Sequence, residues 1–331
     1  MEQLIASGLS IKDSLEVSTL INDKKLGILS NEILSNIKKG ASFANTINNM
    51  DSIFPPVYRG IISVGDRIGS VEKIFPRLRM YLETQKKIKD KLKSALIYPI
   101  IVLVTAFVAF IAMVLFVFPK LETMFMEFGG EAAVTLQNNL QNLKTGFSVF
   151  ILCVLALIIV ISMLKLTAKN NLTLKYKLDS LLLQLPLAGK YITYYETLNF
   201  SFAMETLTSG GVTVDSSITE AQSVVTNEAF SQALSDVNKR IVKGESLSSA
   251  FSMHKEFPSY LTKWMLVGER SGNTEQVFSQ IRNYFQNEID LFTSKFMTLI
   301  EPALIILIGV FLLILVLTVI VPVFSLYGSI L

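Results

Sequence analysis

The sequence predicts an all-α membrane protein in which three transmembrane helices carry two homologous cytoplasmic helical bundles, an internal duplication. Three observations support this. Long stretches of the chain repeat at a fixed offset. Three blocks of about 20 residues are apolar and free of charge, the length a helix needs to cross a bilayer. Elsewhere apolar residues recur at helical spacing, and strand-type alternation is nearly absent.

The repeat is read directly. Phe54-Pro55 matches Phe257-Pro258, and Val64-Gly65-Asp66-Arg67-Ile68-Gly69 matches Val267-Gly268-Glu269-Arg270-Ser271-Gly272, both at an offset of 203. Pro99 pairs with Pro302 and Pro119 with Pro322 at the same offset, as does Gly8-Leu9-Ser10-Ile11 with Gly211-Val212-Thr213-Val214. Ile37 to Phe43 falls on Ile241 to Leu247 at 204, so one residue was gained in between. The period is too long for a solenoid. The duplicated unit is a soluble bundle followed by a membrane helix.

Taken in order, residues 1–94 form the first bundle. Leu26, Leu29, Ile33, Leu34 and Ile37 mark one of its helices, and Val71, Ile74, Phe75, Leu78 and Leu82 its last. Gly69-Ser70 stops one helix and caps the next, with Glu72 in the first turn. A first transmembrane helix follows over 95–118, then an external loop over 119–144 and a second transmembrane helix over 145–164. Residues 165–301 form the second bundle, where Ala229, Phe230, Ala233, Leu234, Val237 and Ile241 repeat the amphipathic helix and Gly272-Asn273 with Glu275 repeats the stop-and-restart. A third transmembrane helix over 302–323 and an external tail over 324–331 close the chain. Pro99 and Pro302 fall one turn into a span, where they kink it, and Pro119 and Pro322 end it. Each bundle is expected to hold five or six helices.

The first bundle has no counterpart to Tyr194 through Ala203, the start of the second bundle's first helix. Its absence is expected to leave a groove lined by Ile11, Leu15 and Ile62, filled by an upstream segment or a neighbouring subunit.

Lysines set the orientation. Lys86, Lys87, Lys89, Lys91 and Lys93 precede the first span, and Lys165, Lys169, Lys175 and Lys177 follow the second. The 119–144 loop holds Lys120 and Lys144 against Glu122, Glu127 and Glu131. Positive flanks stay inside, so both bundles are read as cytoplasmic and the loop and tail as external. These lysines sit beside anionic lipid, so the net charge of +3 gives no reason to expect nucleic acid.

Hydrophobic residues make up 51% of the chain and charged residues 17%, too apolar for an ordinary soluble domain, and the inventory for catalysis is thin. The one histidine, His254, excludes a two-histidine metal helix and reads as a solvated loop residue. The one cysteine, Cys153, lies in the second span with no histidine to activate it. Gly189-Lys190 lacks the glycine spacing of a phosphate loop. Trp264, at the place of Ile61, reads as core. No catalytic, cofactor-binding or metal-ligating residue is assigned, and the spans carry no ionisable residue except Glu301 at the edge of the third.

One motif stands out as a candidate partner-docking edge: Gly65, Asp66, Arg67 and Gly69 in the first repeat, and Gly268, Glu269, Arg270 and Gly272 in the second. Its alternative reading is a tight connection between helices, with glycines kept for geometry and an acid–arginine pattern that is local.

Set in order, these motifs resemble a known family, the inner-membrane platform proteins of type II secretion systems and type IV pili (the F and PilC group). The resemblance rests on Ser7-Gly8-Leu9-Ser10 and Ser209-Gly210-Gly211-Val212-Thr213, Lys39-Gly40 and Lys243-Gly244, the Phe-Pro pairs and the charged glycine motif. Tyr98-Pro99, Glu301-Pro302 and Leu185-Pro186-Leu187-Ala188-Gly189 complete it. It implies a non-enzymatic platform in the bacterial inner membrane that couples a cytoplasmic hexameric ATPase to the polymerisation of pilin-like subunits. Other inner-membrane assembly proteins and further copies of the chain would be its partners. The rival reading is a small repeat-built transporter or channel subunit, whose sites need broken helices or polar groups at mid-membrane. A membrane sensor scaffold would need a larger external domain.

Overall fold

Helix-starting side chains recur in both repeats, and the helices follow them. The computed structural model describes residues 1–21, 23–54, 56–67, 71–128 and 131–330, and among these the backbone is helical with no strand. The first repeat gives α1 (Glu2–Ala6), α2 (Ile11–Thr19), α3 (Lys24–Lys38), α4 (Phe43–Asn48), α5 (Pro56–Arg67) and α6 (Val71–Ala112). A π-helical turn at Met113–Val117 leads into α7 (Phe118–Phe128), which α8 (Glu131–Asn170) follows. The second repeat is preceded by α9 (Leu172–Gln184). It comprises α10 (Ala188–Ser209), α11 (Val214–Ala221) with a 3-10 turn at Gln222–Val224, α12 (Glu228–Val242), α13 (Leu247–Ser252), α14 (Ser259–Ser271) and α15 (Thr274–Ile330).

The caps explain the boundaries. Ser10 accepts from the Asp13 amide at 3.1 Å, Asp23 from Lys25 at 2.9 Å and Ser42 from Asn45 at 3.1 Å. In the second repeat Asn227 accepts from Phe230 at 3.0 Å and Ser246 from Ser249 at 3.2 Å. Each bond satisfies an amide that has no partner within its own helix. At the far ends of α3 and α12, Gly40 and Gly244 take φ +95° and +93°, a left-handed turn that a side chain would strain.

The chain divides into two units. One comprises Met1–Ile88 and Asn171–Phe292, the other Lys89–Asn170 and Thr293–Leu331. In the first unit the second repeat is built on rings: Phe251 lies 5.9 Å from Phe200 and 4.8 Å from Phe257, and Phe230 lies 5.0 Å from Phe257. The smaller first-repeat core is formed by Leu15, Ile33, Leu34, Ile47, Ile74 and Phe75, all buried.

Both repeats share one seam. The Tyr81 ring of α6 packs tilted against that of Phe202 of α10, centroids 5.0 Å apart, and its hydroxyl donates to Asn199 Oδ1 at 3.1 Å. Gln85 donates to the same oxygen at 3.2 Å and accepts from the Tyr195 hydroxyl at 2.7 Å. α5 packs on α10 and on the turn at Gln222–Val224. Of the residues expected to line an open groove, Leu15 and Ile62 are buried within the chain and Ile11 is half-buried. α5, which carries Ile62, packs on α10, the very helix without a full counterpart, and α2, which carries Leu15, packs on α3.

Gly60 makes the seam tight. A Cβ there would lie 2.4 Å from Ser223 Oγ and 3.3 Å from Val224 Cγ1. Gly60→Ala is therefore expected to lower stability by about 1–3 kcal/mol in thermal unfolding of the full chain. Adding Ser223→Ala, which removes the obstructing oxygen, should restore most of it. A neutral single variant would mean the helices meet less closely than this.

In the second unit Phe110, Phe118 and Leu140 are buried, with the Phe147 ring 4.2 Å and the Phe311 ring 5.3 Å from that of Phe110. Three helical stretches are long and apolar enough to cross a membrane: Ile74–Met124, Gln137–Ala168 and Thr274–Ile314. Their most apolar windows are almost unburied by protein, so their apolar side chains need a non-aqueous surrounding.

Two expectations change here. The 119–144 segment is not an irregular loop: α7 and the start of α8 occupy it, and Lys144 meets Glu122 at 3.3 Å. Nor does Pro119 end its helix. Proline offers no amide for the carbonyl one turn back, and the backbone widens just before it, with the Phe118 amide bonding to the Met113 carbonyl in the π pattern. Pro322 likewise lies inside α15.

Candidate partner-docking surface

The charged glycine motif ends α5 in the first repeat and α14 in the second. In both, its acid turns back on the short helix before it. Asp66 Oδ2 accepts from the hydroxyl of Ser42, the residue that caps α4, at 3.0 Å. Glu269 Oε2 accepts at 2.6 Å from Ser248, in the first turn of α13. A carboxylate at a helix start is favoured by the unpaired amides there, so the acid braces the bundle.

The glycines divide by role. Gly65 and Gly268 are buried, and a Cβ on Gly268 would lie 3.4 Å from Val277 Cγ2, in ordinary contact. Gly272 takes φ +67° and closes α14, its amide bonding to the Gly268 carbonyl at 2.9 Å. Gly69 lies outside the described residues, as do Ile68, Ser70 and the side chain of Arg67. Arg270 is exposed. The arrangement gives the acid and glycines of the second repeat structural work. α5 packs on α4, α10 and Gln222–Val224, whereas α14 packs on α13, so each motif is held within its own surroundings.

Two single residues differ from their sequence reading. His254 is not a solvated loop residue: its Nε2 lies 3.0 Å from Asp236 Oδ2 and its ring 5.8 Å from that of Phe257. Trp264 is half-buried rather than core, at the edge of a ring cluster with Tyr260 6.0 Å away.

Sequence reasoning missed the groups that tie α10 into place. Glu196 is buried and accepts from the amides of Thr226 and Asn227 at 3.1 and 3.0 Å and from the Thr226 hydroxyl. Burial pushes its carboxyl up, against the downward pull of those bonds. Asp179 of α9 accepts from the next amide, Glu228, at 2.8 Å, so two helices supply carboxylates to the start of α12. A repeated ion pair was missed as well. Glu2 meets Arg79 at 2.9 Å, and Glu205 meets Arg282, each pair one 203-residue step from the other. The same offset that revealed the motifs could have revealed this pair.

The chain matches the family described as type II secretion system (T2SS), protein F over residues 3–119 and 200–322, one stretch in each repeat. It is similar to the type IV pilus assembly protein PilC of Pseudomonas aeruginosa, 23% identical across 94% of this chain and 83% of that protein. The PilC of Myxococcus xanthus is 25% identical across 90% and 71%. The type II secretion system protein F of Vibrio cholerae is 23% identical across 97% and 79%.

Proposed function

The chain belongs to the type II secretion system protein F family, and we propose that it is the inner-membrane platform of a type IV pilus or type II secretion machine. In this reading it has no catalytic activity of its own. It couples a cytoplasmic hexameric ATPase to the polymerisation of pilin-like subunits, together with other inner-membrane assembly proteins and further copies of itself. The observation that carries the reading is the family match in both repeats, each joined to an apolar span without a break in the helix. α6 and α15 continue from the first unit into apolar sequence. The exposed arginine of the paired motif, Arg270, is the group we assign to contact with a partner.

The test is recovery of the full chain from native membranes with candidate ATPases and pilin-like subunits. Co-purification of both, and loss of filaments on deletion of the gene, is expected. Filament assembly in the deletion strain would overturn the reading.

Orientation is tested separately, with Cys153 replaced. Cysteines at Ser35 and Lys243 should resist a membrane-impermeant thiol reagent in whole cells, and one at Glu127 should react. Labelling at Ser35 or Lys243 would place the bundles outside.

A further inference from the structure

The seam inside one molecule uses one face of each repeat and leaves the equivalent faces open. On the second repeat the face is the turn at Gln222–Val224, where Val224 and the following Val225 are buried. It packs on α5, with Gly60 against Ser223 and Val224. Counted back from the capping residues Asp23 and Asn227, the first repeat has Leu20 and Ile21 at the places of Val224 and Val225. Leu20 is 84% exposed and Ile21 49%.

The other half of the contact is open too. Gly60 of α5 corresponds, 203 residues on, to Lys263 of α14, and Leu266 lies about one turn further along the same helix face. Lys263, Leu266 and Val267 are all exposed. A two-fold relation between the repeats would have buried both halves. The contact is instead head-to-tail, and a head-to-tail contact can continue from molecule to molecule, into a ring if the rotation closes. Exposed leucine, isoleucine and valine side chains on a soluble face are what such a continuation would cover.

We propose that Leu20 and Ile21 of one molecule seat against the Leu266–Val267 face of α14 in a second copy of this chain, repeating between molecules the contact that α5 makes within one. Lys263 in place of Gly60 holds the helices further apart, and Leu20, longer than Val224, spans the difference. The proposal rests on the homo-oligomeric part of the reading above and gives it a surface.

The test is cysteine cross-linking of the full chain in lipid nanodiscs, with Cys153 replaced by serine. Leu20→Cys molecules mixed with Leu266→Cys molecules should cross-link to each other, while either variant alone, and a Ser35→Cys control, should not. In parallel, Leu20→Glu with Ile21→Glu should reduce the native mass from a multiple of one chain to a single chain, with the helical circular-dichroism signal unchanged because both residues are exposed within one molecule. Cross-linking between like sites as strong as between unlike ones, or a multiple mass that survives the glutamates, overturns the proposal. Capture of a candidate ATPase by the same preparations separates the two readings. Cross-linking without capture supports the surface and counts against the coupling, and capture without cross-linking does the reverse.

Discussion

Gly189→Ala is expected to cost about 3 kcal/mol or more, the upper end of what overpacking does, and to deplete the protein from membranes. A Cβ at this position would lie 2.1 Å from the Leu183 carbonyl oxygen and 2.6 Å from its carbon. Both are backbone atoms of α9, so no side-chain rotation relieves the clash. The elbow at 185–187 folds α10 back on α9, with the Gly189 amide bonding to the Leu185 carbonyl at 2.8 Å. Forcing the two helices apart also separates Asp179 from Glu196, the carboxylates that hold the start of α12 together. Glu196, buried, would then lose donors that keep its charge tolerable. Gly146→Ala is the control. Nothing lies within 4 Å of a Cβ there, and alanine in a helix is favoured over glycine by about 0.5–1 kcal/mol. The measurement is thermal unfolding of both variants in the same detergent, with steady-state level in the membrane. A Gly189→Ala protein unfolding within about 2 °C of the parent would show that the elbow is looser than this.

Most of the architecture was legible because it occurs twice. The pairs Asp23 and Asn227, Ser42 and Ser246, and Gly40 and Gly244 occupy matching positions, and each pair does the same local work at a helix end. Local work depends on neighbours a few residues away, and a repeat preserves those neighbours. The three apolar stretches were legible for a different reason: crossing lipid requires a length and a composition, and both can be counted. Pro119 was misread because the rule that proline ends a helix overlooks a local remedy, the π-helical turn before it that pairs the Phe118 amide with the Met113 carbonyl.

The seam between the repeats was not legible, and the reason is geometrical. Tyr81, Asn199 and Gly60 matter because the repeats meet head-to-tail. Their counterparts Tyr284 and Lys263 stand in other surroundings, with Tyr284 stacked on Tyr260 at 3.5 Å. An offset shows which residues are equivalent but not which of the two is used. The same limit applied to the charged glycine motif. Its recurrence marked it as important, yet both readings predict recurrence. Only the bonds from Ser42 to Asp66 and from Ser248 to Glu269 distinguish a brace from a free edge. They assign the acids to the fold, and Arg270 of the second repeat is exposed.

Equivalent residues in unequal surroundings also give the second large prediction. Glu205 and Arg282 repeat Glu2 and Arg79, but their side chains are mostly buried, whereas Arg79 is half exposed and shared with Glu83 at 2.7 Å. Arg77 adds to the buried pair, donating to the Glu205 carbonyl oxygen at 3.3 Å. Removing one member of a buried pair leaves a charge without a partner or water, a loss of about 3–5 kcal/mol. Removing one member of an exposed pair costs about 1 kcal/mol at most. Arg282→Met is therefore expected to unfold the first unit at much lower temperature, while Arg79→Met keeps its unfolding near the parent's. Pairing Arg282→Met with Glu205→Gln should recover most of the loss, because the stranded carboxylate is then gone. That recovery is what separates an electrostatic cause from lost packing: if Arg282 mattered only for the volume it fills, the added Glu205→Gln would change nothing. Equal losses from Arg79→Met and Arg282→Met would show instead that the two repeats bury this pair alike.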